Sequence, residues 1–313
     1  MNDVTLTKIN VVIEKIKALH GDFEQAIEVY RVEIAEFENS CDKGIEHFPS
    51  SYWKLVLYVD SLIKIRLMIE RNFNFIESFG LIALTRYVCE LSIWIRLMSE
   101  NENYGFFYYK MLLQESKERH KEQVAQFESE IAWLKSLEVK EKAGFNNIEA
   151  KNSTIADVHA FERMSAVARK ISEEIDWEAS RKFSIYGDEA AVNGYSYQAY
   201  LIEKNALPKA KDNLIACEIA EKEFDAVASK ELEKLGIGKL KWQNMAIKAG
   251  VSEEFDFIYS YTSRLLHAKP SSLTTNQKSL ENVEVLIFLR YILVKMLEIL
   301  SFTQKEYKDK KLH

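Results

Sequence analysis

Apolar residues recur every three to four positions along almost the whole chain, the spacing that turns one face of an α-helix towards a core. In residues 4–40 they fall at Ile9, Val12, Ile13, Ile16, Leu19, Phe23, Ile27, Tyr30, Ile34 and Phe37, with an interruption at Gly21. This predicts two helices or one bent one. Pro49 with Ser50 and Ser51 supplies a helix start, so a third helix is expected over 52–70 and a fourth over 73–99. From about 101 to 142 the pattern turns charge-dense, and Val124, Phe127, Ile131 and Leu134 keep a narrow stripe suited to one partner helix. A helix at about 154–175, a less regular passage through 185–197 and a second charge-dense helix at about 208–235 follow, the last opened by Pro208 and closed by Gly236. Ser252, Glu253 and Glu254 form an N-cap and acidic first turn for a helix over 251–268 that Pro270 ends.

These elements predict an all-α fold, a multi-helix bundle with an inserted long helical hairpin or arm. The core bundle is expected from 1–100 with 236–304, the arm or subdomain from 101–235, and a flexible tail from 305–313. Composition supports that class. Ten Gly and three Pro are about 4% of 313 residues, where average usage gives roughly 12%. A sheet-rich chain needs those residues at its turns, and phosphate-cradling loops need the glycines.

Charge and cysteine narrow the function. Lys and Arg number 42 against 48 Asp and Glu, a net of −6, so no global basic field draws in nucleic acid and any such role is local. The cysteines Cys41, Cys89 and Cys217 are odd in number and far apart, which suits a reducing compartment. The first residues lack the basic start and unbroken apolar run of a secretory signal, and a cytoplasmic location is expected. The most apolar stretches, 79–98 and 283–302, carry Arg86, Glu90 and Arg96, and Glu284, Arg290, Lys295 and Glu298. They read as central helices of a bundle, with no membrane role.

Two places could carry chemistry. Arg86 and Glu90 lie four apart on one face of an apolar helix, either as an internal ion pair that sets helix register or as part of a central site. Tyr259, Ser263 and His267 follow one another at steps of four on the late helix, with Arg264 on the adjoining strip. An imidazole suits proton transfer near neutral pH, and a guanidinium can hold a phosphate bidentately. The bland alternative for His267 is a helix-end histidine bonded to a carbonyl or to Glu90. Trp242, among lysines, is either a base-stacking platform or the packed indole of an amphipathic helix. Arg290 is expected to turn inward towards the polar cluster, Arg96 to lie at the surface, and Cys89 to pack as a small apolar residue. No Glu-x-x-His pair, Cys-x-x-Cys, His-Glu-x-x-His, Gly-x-Ser-x-Gly or Walker sequence occurs, so neither a metal nor a cofactor is expected.

With these residues the chain resembles a bacterial all-helical family of unknown function, domain of unknown function 5677, over about 52–100 and 238–304. The resemblance rests on Arg86-x-x-x-Glu90, the Trp242 segment, and Tyr259-x-x-x-Ser263-x-x-x-His267 followed by Pro270-Ser271-Ser272, with Thr262 where that family carries Leu. More distantly the bundle is similar to HEPN domains, many of them metal-independent ribonucleases of toxin and phage-defence systems that act as dimers. Their signature sets His four to six residues after Arg, whereas here Arg264-x-x-His267 has two residues between.

The resemblance implies an RNA- or nucleotide-directed role, a metal-independent endoribonuclease in which His267 is general acid or base, Arg264 or Arg86 faces the phosphorane, and Glu90 holds the histidine or arginine. Tyr259, Ser263, Trp242 and Arg290 would complete the binding surface. The competing expectation is a non-enzymatic interaction or scaffold protein whose 101–235 arm binds a partner protein or forms a homodimer.

Overall fold

A computed structural model describes residues 2–40, 47–74, 77–152, 160–182, 184–236, 241–266 and 280–311. Among the described residues every regular element is helical, the all-α architecture that the pattern predicts. The order is α1 (Asn2–Ala18), α2 (His20–Ser40), α3 (Ser50–Asn72), α4 (Ser78–Glu100), α5 (Tyr104–Asn152), α6 (Ala160–Ser180), α7 (Gly187–Asn193), α8 (Tyr195–Leu201), a π-helical turn (Ile202–Ala206), α9 (Leu207–Leu235), α10 (Trp242–Lys248), α11 (Ser252–Leu266) and α12 (Asn282–Lys311). The first break falls at Leu19, leaving Gly21 inside α2. Pro208 has no N–H for the carbonyl four residues back, and the widened π turn ahead of it accommodates that loss without ending the helical path. The tail expected at 305–313 is helical as far as Lys311.

Two compact units divide the chain: Met1–Met111 with Glu223–His313, and Leu112–Lys222. Their limits fall inside α5 and α9, about a dozen residues from the expected 101 and 235. The reason is aromatic. Tyr104 and Phe107 on the first turn of α5 are buried in the first core, and Tyr109 meets Phe224 of α9 edge-on at 4.9 Å.

In the first unit α4 and α12 form the central pair, α12 also packs on α1, α11 on α4, and α2 on α3. Ile93, Ile95, Leu97 and Met98 of α4 are fully enclosed. Among the described residues α4 is the helix long and apolar enough to cross a bilayer, and more than half of that stretch is buried in the fold. It begins where Glu77 accepts hydrogen bonds from the N–H groups of Phe79 at 2.9 Å and Gly80 at 2.8 Å, satisfying two free helix donors. Gly105 lets α5 approach the start of α3: a Cβ there would stand 2.1 Å from the Ser50 carbonyl oxygen.

The second unit has its own core. Phe127, Ile131, Leu134 and Leu137 of α5, the narrow stripe seen in the sequence, pack with Ile175 and Ala179 of α6, Tyr195 and Ala199 of α8, Ile202 and Ala210. The stripe therefore serves several helices instead of one. Lys140–Glu178 at 2.5 Å, Lys135–Glu203 at 3.0 Å and Lys211–Glu128 at 2.8 Å flank it as ion pairs.

Candidate functional site

The densest polar cluster lies inside the first unit, where α4, α11 and α12 meet. Tyr291, Lys295 and Glu298 follow at i, i+4 and i+7 on α12 and so share one face. Lys295 is 3% exposed. Its ammonium lies 2.8 Å from Glu254 of α11 and 2.9 Å from Glu298. Arg96 of α4 donates to Glu298 at 3.0 Å, and the Tyr291 hydroxyl donates to Glu254 at 2.5 Å. The buried thiol of Cys89 lies beside the Tyr291 hydroxyl and interacts with it. Two cations thus meet two carboxylates, and the formal charges cancel. That balance is what makes the burial of Lys295 tolerable, while Glu254 and Glu298 each stay 32% exposed.

The protonation states follow from this enclosure. Burial first, then Cys89 and the Glu254 carboxylate, push the Tyr291 phenol far above its ordinary value. Burial likewise raises the Cys89 thiol, with Tyr291 opposing. Burial works against the Glu298 carboxylate, but hydrogen bonds and charges from Lys295 and Arg96 outweigh it and hold its pKa low. At neutral pH both the phenol and the thiol keep their protons, so neither is a ready nucleophile.

Arg86 and Glu90 do pair, Nε to Oε1 at 2.9 Å, at the half-buried edge of α4. The Arg86 guanidinium lies 4.4 Å from the centre of the Tyr259 ring, so α4 and α11 bring together three of the residues singled out from the sequence. Burial lowers the Arg86 pKa, yet Glu90 and Tyr259 more than offset it and the group lies above its ordinary value. Ser263, one turn beyond Tyr259, has a buried hydroxyl with no hydrogen-bond partner among the described residues.

The other candidates diverge. Arg264 is exposed and spends its guanidinium on its own helix, donating to the Ser260 carbonyl at 3.3 Å and hydroxyl at 3.0 Å. Arg290 is exposed on α12, a correction to the inward orientation expected for it. Arg96, expected at the surface, is instead half-buried in the network. Trp242 packs its indole on the first core, 6.5 Å from the Phe255 ring. His267, with Pro270 to Ser272, lies outside the described residues.

Sequence reasoning passed over the Lys295 network. Glu254 read as a helix-start acid, and nothing local joins it to a lysine 41 residues away. The usable signal was the Tyr291, Lys295 and Glu298 spacing inside an otherwise apolar helix. Among the described residues no group of three His, Cys, Asp or Glu side chains is placed to hold a metal ion. No protein-family model, no curated protein and no solved structure matches the chain.

Proposed function

We propose that the chain is a non-enzymatic interaction or scaffold protein of the cytoplasm, a framework held by the Lys295 network that offers its second unit to a protein partner. The supporting observation is that the charges of the polar core are paired in two groups, Arg86 with Glu90, and Lys295 and Arg96 with Glu254 and Glu298. Arg264 meanwhile turns to its own helix. Among the described residues of that core a phosphate would find no unclaimed cation. The second unit, by contrast, presents Trp177, Ile185, Val192, Tyr197 and Tyr200 to solvent within 24 residues. Aromatic side chains are enriched where proteins meet.

The test is RNA cleavage without added metal by wild type and His267→Ala, run beside sedimentation of wild type and a Trp177→Ser/Tyr197→Ser double variant. No cleavage is expected, together with association that the double variant weakens. Cleavage that His267→Ala abolishes would overturn the proposal.

The unpartnered Ser263 hydroxyl favours a second reading, an RNA- or nucleotide-directed protein akin to the HEPN ribonucleases of toxin or phage-defence systems. There His267 would move the proton at a ribose 2′-hydroxyl, Arg86 or Arg264 would offset phosphorane charge, and Glu90 would position Arg86.

A further inference from the structure

Gln126, Ser129, Glu130 and Trp133 lie on one side of α5, beside the stripe that enters the second core. Lys182 and Ser184, beyond the end of α6, complete a cavity of about 110 Å³ against that side.

Glu130 is 6% exposed. One of its oxygens accepts from the Ser184 hydroxyl and, at 3.4 Å, from the Tyr186 N–H. Among the described residues nothing donates to its other oxygen and no basic group pairs with the carboxylate. A largely buried carboxylate with one oxygen left over gains from a cation that can reach that oxygen. The Lys182 ammonium does not reach it. That exposed side chain rests instead 4.8 Å from the centre of the Trp133 ring. The two halves of a cation site, a carboxylate and an indole face, therefore line one cavity, with the exposed Lys182 over only one of them. The surrounding field is negative too: burial first, and then the charges of Glu130 and Glu189, raise the Tyr186 phenol.

We propose that this cavity binds a small organic cation, a guanidinium or alkylammonium group, which bonds to Glu130 and takes the place of Lys182 over Trp133. The volume fits one small group, since pockets that enclose drug-sized molecules begin near roughly 300 Å³. A guanidinium is the better fit, because its planar donors suit a carboxylate while its face stacks on an indole. The inference rests on the interaction reading and gives the partner its chemistry: an arginine side chain inserted into the second unit. A free guanidine or amine metabolite would show the same chemistry.

The indole N–H resonance of Trp133, assigned by its disappearance in Trp133→Phe, reports on the site. N-methylguanidinium is titrated against its neutral relative N-methylurea, and the peptide acetyl-Gly-Arg-Gly-amide against its citrulline counterpart. Saturable shifts are expected with the cations alone. Glu130→Gln should weaken binding about tenfold or more, the loss of a charge-assisted hydrogen bond. Lys182→Ala, at an exposed position that leaves folding intact, should tighten it severalfold. Tighter binding of the peptide than of N-methylguanidinium assigns the site to a protein side chain, and equal binding assigns it to a free metabolite. No saturable shift in either wild type or Lys182→Ala overturns the proposal, as does equal affinity in a folded Glu130→Gln. Trp177 and Tyr197 lie outside the cavity, so the sedimentation result stands or falls separately.

Discussion

Lys295 holds Glu254 across two helices, with its ammonium 2.8 Å and 3.1 Å from the two carboxylate oxygens and 3% of the residue exposed. The same ammonium holds Glu298, which in turn holds Arg96. One lysine therefore joins α11 and α12, and through Glu298 reaches α4.

Lys295→Ala removes the buried member of both pairs, but Glu254 and Glu298 are each 32% exposed and Glu298 keeps Arg96, so the cost is that of a lost charged hydrogen bond, about 1.5–3 kcal/mol. Urea unfolding should show a loss of that size. Lys295→Met with Glu254→Gln, which removes one charge of each sign, leaves Glu298 to Arg96 and keeps the volume, should recover much of it. A Lys295→Ala protein as stable as wild type would mean that the network does not hold the helices.

Stability should also fall at both ends of the pH range, for opposite reasons. Glu298 has a folded pKa below its ordinary 4.5, so its contribution is complete above that value and is lost as pH falls through the folded pKa. Cys89 and Tyr291 are raised above 9.0 and 10.0, so theirs is complete below those values and is lost as pH rises beyond them. Unfolding free energy should decline below about pH 4.5, less steeply in Glu298→Gln, and decline again above about pH 9, less steeply in Tyr291→Phe.

Arg86 and Glu90 could be paired on paper because they are four residues apart on one helix, whereas Arg96 and Glu298 are 202 apart and only the fold joins them. The error at Arg290 has a related cause. Exposed positions on α12 include Val283, Ile287, Arg290, Val294 and Leu297, an outward strip that is mostly apolar, while Lys295 and the half-buried Glu298 lie inward. The usual rule that charge marks the solvent face runs backwards here, because the inward charges neutralise one another. The helical class was legible because a period of 3.6 is local. The unit limits were not, because Tyr104, Phe107 and Tyr109 continue a helical pattern while changing which core they enter.

Gly105→Ala should destabilise the first unit although alanine is the better helix former. Its Cβ would sit 2.1 Å from the Ser50 carbonyl oxygen and 3.2 Å from the Lys54 nitrogen, and backbone atoms at the start of α3 cannot step aside alone. Overpacking of this kind costs about 1–3 kcal/mol. Thermal unfolding should show a lower midpoint, and Gly21→Ala, with nothing within 4 Å of its added Cβ, provides the matched control.

Arg86 and Glu90 should prove far less costly to alter than Lys295. Their side chains are 28% and 20% exposed, so neither is enclosed as Lys295 is at 3%, and helical pairs four apart contribute about 0.3–0.5 kcal/mol. Glu90→Gln should therefore lower unfolding free energy by under about 1 kcal/mol. The Arg86 contact with Tyr259 crosses from α4 to α11, and a double-mutant cycle with Arg86→Met and Tyr259→Leu should give a coupling of about 0.5–1 kcal/mol, the range for a partly exposed cation over an aromatic face. A much larger cost for Glu90→Gln would make this pair the keystone of the helix packing in place of Lys295. A coupling near zero would mean that Tyr259 is free to leave Arg86, which is the condition the RNA-directed reading needs for that guanidinium to meet a phosphate.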